Sequence, residues 1–170
     1  MYLTHELAGF ALSEFQRGLE GLTEEEIQTR TGKADGTQMN AISWIVGHVA
    51  PHWTGVAAYT TQGEFPAALI ERFNGPNADP TPPSQDEAPQ LLDDARAATD
   101  WTSTADDALL STTHHDSPTS RHGNVGSALM RAVLHTWFHA GEINSVRQIL
   151  GHPEIPFVGS MVDKLEWHSD

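Results

Sequence analysis

The sequence contains no cysteine in its 170 residues. Disulfides and cysteine-ligated metal sites are therefore excluded from this stretch of chain. Any reaction that needs a thiol must take it from a second molecule, because no side chain of the protein can supply one.

Basic residues are also scarce, with nine Lys and Arg against 23 Asp and Glu and a formal net charge of -14. Nucleic acids and anionic membranes recognise a basic surface, so this balance argues against both as partners. The excess of carboxylates is typical of a solvated, self-repelling surface.

Long apolar runs are missing as well, since no segment approaches the roughly 20 residues of a membrane span. The first residues, MYLTHELAGFALSEF, lack the basic region and the apolar region of a signal peptide. We therefore expect a soluble, cytoplasmic protein. Its 38% hydrophobic and 19% charged residues suit one globular domain over residues 1–170.

The apolar residues that are present recur at helical spacing, and no strand-like alternation or internal repeat stands out. Long helices are predicted at residues 4–20, 40–62, 84–103 and 124–150, and short ones at 23–30, 66–73 and 105–112. Capping boxes open two of them, and Asn124 or Ser127 caps the last. In the first helix, the expected core face is Leu7, Phe10, Ala11, Phe15 and Leu19. These helices can bury their apolar faces against one another, which predicts an all-α four-helix bundle with short accessory helices.

His135 and His139 are four residues apart in the last helix, so their rings lie on one face together with apolar residues. Such a pair can be a hydrogen-bonded structural feature or can supply two ligands to one metal ion. His48 lies on the inward face of the second helix, one turn before Pro51 and His52. If the two helices are neighbours, three imidazoles converge and leave one coordination position open, which is typical of a catalytic metal site.

The segments NAISWIVGHVAPHW and HTWFHAGEINSVRQILGHP resemble the DinB/YfiT-like superfamily of metal-dependent enzymes, over essentially the whole chain. The resemblance implies a four-helix bundle in which three histidines hold one divalent metal ion. The ligands carry over onto His48, His135 and His139, with His52 as the competing candidate on the second helix. Zinc and nickel both suit three imidazoles and an open position.

Other polar and aromatic residues belong to the same region. Glu142 follows His139 by three residues, and it is either a partner of a ligand ring or a surface carboxylate. The pocket candidates are Trp44, His52, Tyr59 and Arg131, although core packing is the common role of tryptophan. A separate polar segment carries His114, His115 and His122, which are either exposed turn residues or a second metal-binding loop.

By the same resemblance, the function is that of an S-transferase or isomerase that uses a low-molecular-weight thiol, such as mycothiol or bacillithiol, on a small-molecule substrate. Pairing into a homodimer is also common in that family. Two alternatives remain. One is a metal-dependent hydrolase with Glu142 or His52 as its base. The other is a non-catalytic bundle that the metal stabilises, with a stress-response or binding role.

Overall fold

The computed structural model describes residues 2–61, 63–74, 78–113 and 123–156. In chain order its helices are α1 Tyr2–Arg17, α2 Glu24–Gln28, α3 Ile42–Thr61, α4 Ala67–Asn74, α5 Glu87–Ala97, a 3-10 helix at Asp100–Ser103, α6 Asp107–Ser111 and α7 Val125–Ile149. The described residues contain two isolated β-bridges and no strand. The predicted all-α class is confirmed. None of the described helices is both long and apolar enough to cross a membrane.

Helix α3 occupies the centre of the bundle. It packs against α5 on one side and α7 on another, and it also contacts α2, α4 and the 3-10 helix. Its buried residues lie around most of its circumference: Ile42, Ser43, Ile45, Val46, Gly47, Val49, Ala50, Pro51, Trp53, Gly55 and Val56. A helix that is apolar on all sides is stable only when it is surrounded, which explains this central position.

Helices α3 and α7 run antiparallel. Asn40, just before α3, bonds Glu142 near the end of α7, and the rings of His52 and His135 lie beside each other further along. The side chains of Trp53 and Thr136 form a buried hydrogen bond of 2.9 Å between the two helices. This pairing brings the histidines of the second and fourth predicted helices to the same level of the bundle.

Helix α1 packs against α7 on a face rotated from the predicted one. Its buried residues are Ala8, Ala11, Leu12, Glu14 and Phe15, whereas Leu7 and Phe10 are only partly buried. Arg147 of α7 donates to the carbonyls of Gly18 and Glu20 beyond the end of α1, at 3.0 and 2.7 Å. A buried cation there satisfies carbonyls that the ending helix leaves unpaired.

The third long helix is shorter than predicted, since α5 ends at Ala97 and a separate 3-10 helix follows. The hydroxyl of Thr99 donates to the carbonyl of Arg96 at 2.8 Å, and that of Thr102 donates to the carbonyl of Thr99 at 2.6 Å. Hydroxyl side chains that bond the nearby backbone compete with α-helical pairing, and several follow one another in TDWTST. The prediction of one helix over residues 84–103 was therefore wrong at its C-terminal end.

The last long helix agrees closely with its prediction. Asn124 is its N-cap, and the Asn124 side chain accepts from the amide of Ser127 at 2.9 Å. The histidine segment His114, His115 and His122 and the chain after residue 156 lie outside the described residues.

Candidate metal centre

Three imidazole nitrogens meet between α3 and α7. The Nε2 atom of His135 lies 3.1 Å from Nε2 of His48 and 3.1 Å from Nε2 of His139. The three ring centroids are 4.5–4.9 Å apart. The structure thus brings together all three histidines that the sequence resemblance selected as ligands.

The partners of the outer two rings determine which nitrogen carries the proton. The Nδ1 atom of His48 lies 2.8 Å from the carbonyl oxygen of Phe73, and Nδ1 of His139 lies 2.7 Å from Oε2 of Glu142. A carbonyl oxygen or an ionised carboxylate can only accept, so each Nδ1 donates. In the neutral rings, Nε2 then carries a lone pair that faces His135, which is the tautomer a metal-binding histidine needs.

Glu142 is held in place from a second direction by the Asn40 side-chain amide, which donates to its Oε1 at 3.4 Å. The hydrogen bond from His139 lowers the pKa of Glu142 more than burial raises it, so the carboxylate is ionised near neutral pH. Glu142 therefore orients the His139 ring and places a negative charge behind it.

Trp44 and Phe73 support His48. The Trp44 ring stacks on the His48 ring with centroids 5.2 Å apart and an angle of 12° between planes, and Trp44 Nε1 donates to the carbonyl of Asp79 at 2.6 Å. Gly47 lets the Phe73 ring approach α3, because a Cβ atom at that position would lie 2.8 Å from the ring. The backbone of α4 can then offer its Phe73 carbonyl to His48.

His52 lies on the other side of His135, with ring centroids 4.2 Å apart. Its Nε2 lies 2.8 Å from Oδ1 of Asn74, so in this arrangement the proton is on Nε2. Among the described residues, the group whose ligand atoms all lie within 4.8 Å of one another is His48, His52 and His135, and His139 is not part of it. Two overlapping sets therefore exist, which share His48 and His135 and differ in the third ring.

Burial lowers the pKa values of three histidine rings in this cluster. The pKa of His135 falls to about 3 and that of His52 to about 4, in each case chiefly because burial disfavours the charged ring. Burial also lowers the pKa of His48. These three rings are therefore neutral near neutral pH, as metal ligands must be.

A divalent cation fits the donor atoms that are present. Two imidazoles bonded to one tetrahedral ion at about 2.0–2.1 Å have nitrogens about 3.3–3.4 Å apart, close to the distances found here. In the metal-free protein, Nε2 of His135 can donate to the lone pair of either neighbouring Nε2 atom, whereas its buried Nδ1 atom has no hydrogen-bond partner among the described residues. With the proton of His135 on Nδ1 instead, all three Nε2 atoms would offer lone pairs to one cation.

A cavity of about 400 Å³ opens beside His48 and His135, between α3, α4 and α7. Of the predicted pocket residues, His52, Tyr59 and Arg131 line it, whereas Trp44 does not. Sequence reasoning missed Phe73 and Asn74, which orient His48 and His52. A backbone carbonyl acceptor has no sequence signature, and an asparagine at the end of a short helix resembles an ordinary cap.

Comparison with known proteins shows the family to which the chain belongs. The sequence model of the DinB superfamily matches residues 10–143, which include α3, the centre of the bundle and all three predicted ligands. No curated protein matches the chain. The chain belongs to the DinB superfamily.

Proposed function

We propose that this protein is a divalent-metal-dependent enzyme that transfers or adds a low-molecular-weight thiol, such as mycothiol, to an electrophilic small molecule. The observation that carries the proposal is the pair of 3.1 Å contacts by which Nε2 of His48 and of His139 meet Nε2 of His135. Zinc and nickel are the proposed ions, because both suit imidazole nitrogen.

His139 is a better third ligand than His52. Its Nε2 faces His135 while its Nδ1 donates to a carboxylate, which is the usual arrangement behind a metal-bound histidine. The Nε2 atom of His52 is instead engaged with Asn74. His52 would have to leave that partner or turn its ring to ligate through Nε2.

The proposal assigns a separate role to each group of residues in the site. His48, His135 and His139 would hold the cation, and Glu142 and the Phe73 carbonyl fix the directions of two of these rings. A cation held there lowers the pKa of a thiol that reaches it, which supports thiolate chemistry near neutral pH. The cavity of about 400 Å³ beside His48 and His135 has room for a small molecule, and most of its surface is apolar. The thiol comes from outside, since the chain has no cysteine.

The test begins with protein purified without a nickel column, whose metal content is measured by elemental analysis. The protein is then stripped, reloaded with zinc or nickel, and assayed for thiol consumption with mycothiol, bacillithiol or N-acetylcysteine and a panel of electrophiles. We expect turnover that requires the metal and the thiol and that is lost in His139→Ala. His152→Ala is a matched control, because His152 pairs with Glu26 away from the centre.

Two results would overturn the proposal. Metal-dependent product release from esters or amides without any thiol would identify a hydrolase. A metal that raises the melting temperature without turnover on either panel would identify a metal-stabilised, non-catalytic bundle.

A cytoplasmic homodimer is part of the same proposal. Met130, Leu134 and Phe138 recur every four residues along α7 and are exposed, with 72% of Phe138 accessible. An apolar stripe of this kind suits burial against a second copy. Light scattering should report twice the mass of one chain, and Leu134→Glu should return the monomer; a monomeric wild-type protein would contradict the dimer.

A further inference from the structure

Four histidines face one another across the two central helices, as two pairs of the same spacing. His48 and His52 are one turn apart on α3, and His135 and His139 are one turn apart on α7. The His52 ring is the nearest of the other three to His135, with centroids 4.2 Å apart, compared with 4.5 Å for His139 and 4.9 Å for His48. By distance alone, His52 can approach the same cation as the three proposed ligands.

The hydrogen bonds of the rings set His52 apart from the others. His48 and His139 are bonded through Nδ1, which leaves their Nε2 atoms toward His135. His52 is bonded through Nε2 instead, and that atom lies 2.8 Å from Oδ1 of Asn74. The nitrogen that the other two rings direct at the centre is therefore engaged, in His52, by an acceptor on α4.

Asn74 is the last residue of α4, a region of a helix in which asparagine often has a capping role. Here its side-chain oxygen accepts from His52, and its buried Nδ2 atom has no hydrogen-bond partner among the described residues. A buried donor without a partner costs free energy, so the hydrogen bonds of the amide do not by themselves explain its position. The contact with His52 does explain it, and both residues line the cavity beside the centre.

We propose that Asn74 is a positioning residue, which holds His52 away from the cation and so keeps a coordination position open to a ligand from the cavity. Without this hold, His52 would complete a set of four imidazoles, and a metal site closed by four protein ligands is typical of structural centres. With it, three imidazoles remain as ligands, which is typical of catalytic centres. This role rests on the metal centre of the proposed function and not on its thiol chemistry.

The test uses the cobalt-loaded protein and azide, a small anion that binds an open coordination position without any thiol. Asn74→Leu keeps a side chain of similar size and removes the acceptor. We expect this variant to bind azide roughly tenfold more weakly, as the loss of one neutral hydrogen bond to His52 allows. It should also bind cobalt more tightly, because a fourth protein ligand is added. Visible absorption measures azide binding, and chelator competition measures cobalt affinity.

Two further variants connect these effects to His52. The double variant Asn74→Leu with His52→Ala should return both affinities to within a factor of a few of the wild-type values. Asn144→Leu is the matched control and should change neither, since the Asn144 side chain also accepts one hydrogen bond, from the amide of Ile155 at 3.0 Å, outside the cavity. A purely structural defect in α4 would weaken cobalt binding, and His52→Ala would not reverse it.

Four results would each overturn the role of Asn74. In Asn74→Leu these are unchanged affinities, weaker cobalt binding, or tighter azide binding, the last of which would show that Asn74 holds His52 on the cation. The fourth is an effect that persists in the double variant, because it would not act through His52.

The same measurements separate this role from the thiol function. The expected changes in azide and cobalt binding, without thiol consumption on any electrophile, would overturn the thiol function alone. Thiol turnover together with an unchanged azide affinity in Asn74→Leu would overturn the role of Asn74 alone. Wild-type protein that binds no cobalt would overturn both.

Discussion

Glu142 illustrates how one residue outside the ligand set can control the centre. Its carboxylate accepts from Nδ1 of His139 at 2.7 Å, and that hydrogen bond is the main reason its pKa is lowered. The negative charge favours a proton on Nδ1 and leaves Nε2 free. It also increases the electron density that the ring can offer to a cation.

Replacing Glu142 by Gln should weaken metal binding. The amide keeps an acceptor but loses the charge, and changes of this kind typically cost roughly 10–100-fold in metal affinity. Competition with a chromophoric chelator measures the effect. Glu26→Gln is the matched control, because Glu26 also pairs with a histidine, His152, at 2.9 Å. Equal affinity in both variants would show that Glu142 does not act on the centre.

The choice between His139 and His52 is settled by comparing two alanine variants. Loss of a residue that only hydrogen-bonds a ligand costs at most roughly 100-fold in metal affinity. His139→Ala removes a ligand itself, so we expect a larger loss of affinity. His52→Ala should leave the affinity within a factor of a few, since Asn74 holds the Nε2 of His52. The same chelator competition applies. The reverse order would assign the third ligand to His52.

Helix α4 acts on the centre as an element, through the contact between its Phe73 and Gly47 of α3. A Cβ atom at Gly47 would lie 2.8–3.0 Å from three atoms of the Phe73 ring, which is itself fully buried. Any side chain at position 47 must therefore displace the Phe73 ring, and we expect α4, which carries that ring, to shift. The Phe73 carbonyl that accepts from His48 would move with it.

Gly47→Ala should accordingly destabilise the protein by about 1–3 kcal/mol, as overpacking of a core does, and should weaken metal binding as well. Denaturant unfolding of the metal-free protein and chelator competition measure the two effects. Gly9→Ala provides the control, because Gly9 is exposed in α1 with nothing within 4 Å of an added Cβ. That change should stabilise the protein by about 0.5–1 kcal/mol. An unchanged metal affinity in Gly47→Ala would show that α4 does not affect metal binding at the centre.

At the scale of the whole molecule, the buried histidines make folding dependent on pH. The pKa values of His135 and His52 are lowered to about 3 and about 4 from an ordinary value of 6.5, so the unfolded chain binds more protons over that interval. Their contribution to stability is complete above pH 6.5 and is lost as the pH falls. The metal-free protein should therefore become progressively less stable between about pH 6.5 and 4.5.

Denaturant midpoints at several pH values measure this dependence. The carboxylates Glu142 and Glu26, whose pKa values are lowered from 4.5, Glu26 to about 2, begin to contribute only near the lower end of this window. His135→Gln and His52→Gln should each flatten the dependence. A stability that is constant from pH 6.5 to 4.5 would contradict the burial of neutral rings.

Much of the architecture follows from local patterns. The helical spacing predicted α1, α3 and α7, and the predicted capping box at Thr23 with Glu26 is present. Ser84 and Glu87 form the two reciprocal hydrogen bonds of the second predicted box, but the N-cap of α5 is Asp86. The errors fall where packing against a distant helix, or side chains that bond the nearby backbone, override the local pattern. The hydroxyls of Thr99 and Thr102 divide the third helix, and packing against α7 selects Ala8 and Leu12 over Leu7 and Phe10 for the core of α1.

By itself, the sequence determined the helical class, the family and the spacing that places His135 and His139 on one side of α7, because these depend on short-range periodicity and on motif residues. Only the tertiary structure decided that His48 meets them, that Phe73 and Glu142 set their tautomers, and that Arg131 shares a cavity with them. Those relations depend on how α3, α4 and α7 pack. Packing joins residues that are far apart in the chain, and the spacing of residues within one helix does not reveal it.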